Sequence, residues 1–104
     1  MRRGEIWWAE LAPPAARRPV LLLSRDEAHT VRSLIVIAPI TTRIRRIPSE
    51  VHLGAADGMP RACAANLDFI TIIPKNCLRE FLTSLSPQKL NEVDKAIRFA
   101  LALE

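Results

Sequence analysis

The chain has 104 residues, of which 49% are hydrophobic and 25% are charged, and its formal net charge at pH 7 is +4. This length suits one compact domain, residues 1–104, and the composition is sufficient for a hydrophobic core. No apolar run approaches the length of a membrane span, and Met1–Glu5 is not followed by the apolar segment of a signal peptide. We therefore expect a cytoplasmic protein with no membrane association.

Cysteine and histidine content argues against a metal centre. Cys63 and Cys77 are the only cysteines and are not closely spaced, so neither a disulfide scaffold nor a zinc ribbon is indicated. His29 and His52 would complete a four-ligand set, but the order and spacing match no common zinc pattern. The sequence predicts no metal and no cofactor, and it favours each histidine as a surface or strand residue over a catalytic base.

The positive charge is concentrated in the first three-fifths of the chain. Residues 1–61 hold ten arginines against six acidic residues, whereas residues 62–104 hold five basic and five acidic residues. Basic surfaces rich in arginine favour nucleic acid as a partner. Solvated surface arginines would give the same counts, so charge alone leaves both interpretations open.

Short apolar segments separated by turn residues predict several strands. They are, in chain order, a first strand over Gly4–Leu11, a second over Pro19–Ser24, a third over Leu34–Ile40, a fourth over Glu50–Leu53, and one bent strand or two over Ala62–Ile73. Arg25–Ser33 is predicted to be a connection without an element of its own.

The end of the chain has the pattern of an amphipathic helix. Ser86 is a good N-cap and Pro87 suits the first helical position. Leu90, Val93, Ile97 and Leu101 then recur at helical spacing. A shorter helical segment is predicted over residues 75–81. Many short strands followed by one amphipathic helix predict an α+β fold, with a small, strongly curved antiparallel sheet or barrel and a helix packed on it.

Two strand ends carry polar groups suited to an anion. Arg17 and Arg18 directly precede Pro19, which fixes the start of the second strand, and Thr41 and Thr42 follow the third. A fixed guanidinium beside a hydroxyl donor can stabilise the charge that develops on a phosphorane when RNA is cleaved by its own 2′-hydroxyl. Spacing alone favours a simpler interpretation, in which Arg18 is a surface charge and Thr41 a strand residue.

Five segments in order resemble the successive motifs of the MazF/PemK toxin family. They are Arg3–Trp8, Arg18–Asp26, Ala38–Thr41, Cys63–Asp68, and Leu85–Leu90 with Val93 and Asp94 after it. Each motif is short, but the match is collinear over almost the whole chain. The resemblance implies a small antiparallel SH3-like barrel of the CcdB/MazF type with a C-terminal helix.

The resemblance also implies a function. The family's members are metal-independent endoribonuclease toxins of type II toxin–antitoxin systems, which act as homodimers and are inhibited by a cognate antitoxin. They cut single-stranded RNA at a short sequence, mainly mRNA, with tRNA and rRNA as other classes, and so stop translation and growth. The family's catalytic arginine falls on Arg18 and its catalytic threonine on Thr41. RNA contacts are expected from Arg17, Arg25, Thr42, Arg43, Arg45 and Arg46.

Two departures from the family pattern bear on substrate choice. The loop before Arg17 is short, residues 13–16, so it supplies no base or gate to the site. Phe69 stands where the family commonly has glutamine after the aspartate, and an aromatic ring stacks on a base without reading its edge. The sequence leaves two other functions open: a CcdB-like gyrase poison without enzymatic activity, and a catalytically inactive SH3-like RNA-binding module.

Overall fold

The computed structural model describes all residues, 1–104. The strands are β1 (Glu5–Glu10), β2 (Arg17–Leu22), β3 (Leu34–Thr41), β4 (Glu50–Leu53), β5 (Cys63–Asn66), β6 (Thr71–Pro74) and β7 (Leu78–Ser84). The helices are α1 (Asp26–Val31) and α2 (Pro87–Ala100), and 3₁₀ turns cover Ala55–Asp57, Leu67–Phe69 and Lys75–Cys77. Neither helix has both the length and the apolar character that crossing a lipid bilayer would need.

The central strand β3 determines the shape of the sheet. All pairs are antiparallel, and the strands follow the order β4-β5-β3-β2-β1-β7, with β6 also paired to β3. Along the edge away from β2, β3 pairs first with β6 and then, at Ile40 and Thr41, with β5. This change of neighbour curls the sheet into a half-barrel, which confirms the predicted curved antiparallel sheet with a C-terminal helix.

Two hydrophobic clusters occupy the two faces of the central strands. Leu21 belongs to a cluster of thirteen buried residues that also includes Val93 and Ala96 of α2. Val20 and Leu22 belong to a second cluster of seven buried residues on the opposite face. Because neighbouring strand residues point to opposite faces, both sides of β2 are buried, and its sequence is therefore continuously apolar.

The predicted C-terminal helix is confirmed. The Ser86 hydroxyl oxygen accepts a hydrogen bond from the backbone N–H of Lys89 at 3.1 Å, and Pro87 is the first helical residue. Val93 is completely buried, whereas Leu101, which follows the helix, is exposed. The apolar face of the helix therefore ends earlier than the sequence spacing suggests.

Arg3 connects the start of the chain to this helix. Its Nη2 donates to Asp94 Oδ1 at 2.7 Å, and its Nε donates to the carbonyl oxygen of Leu23 at 3.2 Å. The ion pair joins residues that are 91 positions apart in sequence and fixes α2 against the end of β2.

Two sequence predictions about local structure are wrong. The segment Arg25–Ser33 contains helix α1, because Ala28 and His29 pack inward and the His29 Nε2 lies 3.0 Å from the carbonyl oxygen of Ser24. The segment 75–81 is not helical: after one 3₁₀ turn the chain enters β7, which pairs with β1. The segment predicted as one strand or two forms two, β5 and β6, separated by a 3₁₀ turn.

Gly58→Ala is expected to lower the free energy of unfolding by about 1–3 kcal/mol. Gly58 has a φ of +88°, and an added Cβ would collide with the Thr83 hydroxyl oxygen. Gly54→Ala is the matched control, because a Cβ at Gly54 would meet nothing within 4 Å. Urea unfolding followed by circular dichroism measures both variants. Equal losses in the two variants would contradict this account of the turn.

Candidate active site

A cleft opens where β2 and β3 separate. Their pairing ends at Val20 and Pro39, and the preceding residue of β2, Pro19, has no N–H to donate to a partner strand. Beyond this point β3 pairs with β5 through Ile40 and Thr41. The start of β2 and the end of β3 therefore diverge and leave a gap in the sheet.

A cavity of about 460 Å³ occupies this gap, within the size range of small-molecule sites. β5 borders it with the small, buried side chain of Cys63, the first residue of that strand. The cavity is lined by Trp8, Pro19, Ile40, Thr41, Thr42, Met59, Pro60, Arg61 and Cys63.

Arg18 lies within β2, as its second residue, and not before the strand as predicted. It is half-buried, forms no ion pair, and its Nε is buried without a hydrogen-bond partner. A buried N–H without an acceptor is energetically unfavourable in the isolated protein. Arg18 is therefore a cation with an unused Nε donor, next in sequence to Pro19 of the cavity wall, although Arg18 itself is not among the residues that line the cavity.

Thr41 ends β3 on the other side of the gap. Extending the β2–β3 register by two residues places Thr41 opposite Arg18, and opposed residues of antiparallel strands present their side chains to the same face. The Thr41 hydroxyl oxygen accepts a hydrogen bond from the backbone N–H of Arg43 at 3.0 Å. This bond orients the oxygen and leaves the hydroxyl proton free to donate.

Arg17 lies over the outer wall of the cavity. Its guanidinium carbon is 5.0 Å from the ring centroid of Trp8, and its Nη2 donates to Glu80 Oε1 at 3.2 Å. The ion pair is exposed and contributes little to stability. The contacts nevertheless hold the cation beside the aromatic ring that lines the cavity.

The arginines of the loop after β3 differ in whether they form an ion pair. Arg43 and Arg46 are exposed and form no ion pair. The backbone N–H of Arg45 donates to Glu50 Oε1 at 2.8 Å, and its Nη1 lies 3.7 Å from Glu50 Oε2, on a carboxylate that is completely buried. Arg45 is therefore engaged in holding the loop, whereas Arg43 and Arg46 remain available to a ligand.

Arg25 is not brought to the cavity. It lies three residues beyond Leu22, at the end of β2 that is remote from Arg18. Because a strand rises about 3.3 Å per residue, Leu22 is already about 13 Å from Arg18. The structure thus separates Arg25 from the other predicted RNA contacts, among which Thr42 lines the cavity.

Sequence reasoning missed a wall of the cavity formed by Met59, Pro60 and Arg61. These residues follow the left-handed turn at Gly58, and only Ala62 separates them from β5. The sequence held one indication of this wall. Arg61 stands shortly before the strand of small residues, Cys63–Asn66, which belongs to a segment that resembles a family motif. Trp8, which the sequence did not single out, also lines the cavity.

The histidines and cysteines form no common cluster. His29 is buried on α1, and His52 borders a separate cavity of about 340 Å³ together with Arg46 and Glu92. No group of three or more His, Cys, Asp or Glu side chains is arranged to hold a metal ion. Cys63 is buried and Cys77 is half-buried, and both are free thiols.

Residues 2–101 match the family described as PemK-like, MazF-like toxin of type II toxin–antitoxin system. The chain belongs to this toxin family. The toxin is 37% identical over 99 residues to a probable endoribonuclease MazF2 of Mycobacterium tuberculosis (strain ATCC 25618 / H37Rv). The aligned residues cover 94% of this chain and 95% of that protein.

Solved structures share the fold of this toxin. The Mycobacterium tuberculosis toxin MazF-mt6 superposes with a TM-score of 0.88 at 28% identity, over 96% of this chain and 98% of that one. An endoribonuclease in complex with its cognate antitoxin, from a mycobacterial species, superposes with a TM-score of 0.90 at 26% identity, over 100% of this chain and 97% of that one. The predicted fold family is therefore confirmed by sequence and by structure.

The stability of the toxin is expected to fall with rising pH through Cys63. Burial, with a smaller contribution from the Asp57 carboxylate, raises the pKa of the Cys63 thiol. The thiol of the unfolded chain ionises at about pH 8.5. The protonated Cys63 thiol therefore makes its full contribution to the free energy of unfolding below this pH. This contribution is lost as the pH rises towards the pKa of the thiol in the folded protein.

Urea midpoints measured from pH 7 to 10 check this expectation. The wild type should lose stability more steeply above about pH 8.5 than Cys63→Ala. Cys77→Ala is the control and should keep the wild-type slope, because it retains Cys63. Identical slopes for the wild type and Cys63→Ala would contradict the assignment.

Proposed function

We propose that this toxin is an endoribonuclease that cuts single-stranded RNA at a short sequence, with residues 1–104 acting as one domain. Three findings support this: the family match over residues 2–101, the endoribonuclease names of its relatives, and the shared fold. Its substrate is cellular RNA in the cytoplasm, mainly mRNA, with tRNA and rRNA as further classes. Its protein partners are a second copy of itself and a cognate antitoxin.

The reaction uses the 2′-hydroxyl of the RNA as nucleophile. The 2′-oxygen forms a bond to phosphorus, the bond from phosphorus to the 5′-oxygen breaks, and the products are a 2′,3′-cyclic phosphate and a 5′-hydroxyl. The 2′-hydroxyl proton leaves to an acceptor, and the departing 5′-oxygen gains a proton. Negative charge accumulates on the non-bridging oxygens of the phosphorane, and stabilising that charge is the main contribution of a fixed cation.

Arg18 is the residue proposed to stabilise this charge. The observation that carries the proposal is its position: the extended register of β2 and β3 sets Arg18 opposite Thr41, and its guanidinium forms no ion pair. A phosphate bound between the two strands would accept hydrogen bonds from the guanidinium. Because the arginine is fixed on a strand, little reorganisation accompanies the reaction, and the cation takes the place that a metal ion holds in other nucleases.

Thr41 is proposed to donate its hydroxyl proton to a non-bridging oxygen of the same phosphate. Its oxygen is already oriented by the N–H of Arg43, so the free proton points away from that bond. The side chains that line the cavity include no imidazole and no carboxylate. The catalytic contribution of this site is therefore electrostatic, with Arg18 and Thr41 acting on one phosphate.

Neighbouring phosphates of the RNA are proposed to contact cations on both sides of the gap. Arg17 lies on the β2 side, where a phosphate would compete with its exposed ion pair to Glu80, and Arg43, which forms no ion pair, lies in the loop after β3. Arg46 belongs to the same loop but borders the separate cavity of His52. Thr42, which is exposed at the cavity, adds a hydroxyl donor. Such contacts fix the register of the strand and make its binding sensitive to salt.

Arg18→Ala is expected to slow cleavage of a synthetic single-stranded RNA by roughly 100- to 1000-fold, because one preorganised charge donor is lost. The assay follows discrete products on a denaturing gel in the presence of EDTA. Arg32→Ala removes an exposed arginine on the far side of α1 and should stay within about twofold of the wild type.

Two outcomes would contradict the proposal that Arg18 stabilises the transition state without a metal ion. Wild-type cleavage by Arg18→Ala would remove the arginine from the reaction. Loss of wild-type cleavage in EDTA would show that a metal ion is needed. Thermal unfolding of each variant separates loss of chemistry from loss of folding.

Thr41→Val is expected to reduce the cleavage rate by roughly 10- to 100-fold, since a hydrogen bond to a charged oxygen is lost while the shape is kept. Thr41→Ser retains the hydroxyl and should recover most of the rate. Thr71→Val changes an exposed threonine of β6 and serves as the control. Equal rates for the valine and serine variants at position 41 would exclude the hydroxyl from the reaction.

A further inference from the structure

The cavity beside the proposed cleavage site has the properties of a nucleobase pocket. We propose that it holds the base next to the scissile phosphate and that Arg61 selects a base whose edge carries carbonyl acceptors, uracil or guanine. This inference rests on the proposed function, because it assumes that RNA lies across the gap between β2 and β3. It adds a specificity-determining residue to the reaction.

The walls of the cavity suit a flat, partly apolar ligand. Trp8 and Pro19 lie on neighbouring positions of β1 and β2, and Met59 and Pro60 form the facing loop. A nucleobase stacks favourably on an aromatic ring, and such stacking tolerates any base. The Arg17 guanidinium, 5.0 Å from the Trp8 ring, extends the stacking surface towards solvent. These walls therefore hold a base without choosing which one.

The polar side chains of the cavity determine which nucleobase is preferred. Arg61 is exposed and forms no ion pair or side-chain hydrogen bond, so its guanidinium is available to a ligand. A guanidinium donates hydrogen bonds and accepts none. The other polar groups are the hydroxyls of Thr41 and Thr42 and the buried thiol of Cys63, and no carboxylate or amide side chain lines the cavity.

This donor-rich lining distinguishes the bases by their edges. Guanine presents O6 and N7 as acceptors, and uracil presents carbonyl oxygens, so both match a guanidinium. Adenine and cytosine carry an amino group in the place of these carbonyl oxygens, and a guanidinium cannot accept a hydrogen bond from it. An amino group directed at Arg61 would lack this partner, so adenine and cytosine are disfavoured on that edge.

The cavity is also correctly placed to act on the base beside the cut. Thr41 is shared: it lines the cavity and lies opposite Arg18 in the extended register of β2 and β3. A phosphate that contacts Thr41 therefore lies at the border of the cavity, next to the space that Trp8 and Arg61 line. Base choice at this position follows from contacts that are separate from those that stabilise the phosphate.

A binding selection tests the proposal without requiring cleavage. A random pool of 2′-fluoro RNA heptamers lacks the attacking hydroxyl, so it binds without being cut. The pool is incubated with wild-type toxin, with Arg61→Gln and with Arg43→Gln, and the bound fraction is sequenced. The wild type should enrich uridine or guanosine at one position by about tenfold or more over cytidine and adenosine, and the sequences themselves tell the two keto bases apart.

The variants separate base recognition from general affinity. Arg61→Gln should reduce the preference at that position to within about threefold, because glutamine offers an acceptor as well as a donor. Arg43→Gln should weaken binding of all sequences and keep the preference, as expected for a phosphate contact. Thermal unfolding confirms that both exposed substitutions leave the fold intact.

Three results would overturn the proposal: enrichment of adenosine or cytidine, no enrichment at any position, or an unchanged preference in Arg61→Gln. None of these measures cleavage, so they are distinct from failure of the proposed reaction. If Arg18→Ala cut RNA normally while the keto preference depended on Arg61, the base pocket would stand and the catalytic assignment would fall.

Discussion

The missing N–H of Pro19 is the constraint on which the candidate site depends. A hydrogen-bonded ladder between β2 and β3 cannot continue through this residue, so the two strands part at the start of β2. The opposite edge of β3 pairs with β6 and then with β5, and this separate change of neighbour curls the sheet. The gap lies where the two effects meet, at the start of β2 and the end of β3.

Elements defined by local signals could be predicted from the sequence, and elements defined by distant pairing could not. Helix α2 has its own N-cap at Ser86 and its own apolar spacing, so its sequence alone specifies it. The segment of β7 contains leucine, arginine and glutamate, which suit a helix, and it becomes a strand because it pairs with β1 about 70 residues earlier. Helix α1 is short and is held by burial of Ala28 and His29 against the sheet.

In the site, too, features set by local sequence could be predicted, and features set by distant contacts could not. The motif match proposed Arg18 and Thr41, and an extension of the β2–β3 register sets them at opposed positions. The sequence did not show that Arg45 is engaged with the buried Glu50, because that pairing depends on how the loop folds back on β4. Nor did it indicate Arg61, whose approach to the cavity depends on the turn at Gly58 and on the contact of that turn with β7.

That turn has a consequence for how such a toxin diversifies. The wall of residues 59–61 is supported by Gly58 against Thr83 of β7, whereas the proposed reacting groups are supported by β2 and β3. The Gly58–Thr83 contact and the strands β2 and β3 lie on different sides of the cavity. Substitutions in the wall can accumulate without disturbing the strands, provided that Gly58 and Thr83 are kept. A single scaffold of this design can therefore give rise to many toxins that cut different sequences by one unchanged chemistry.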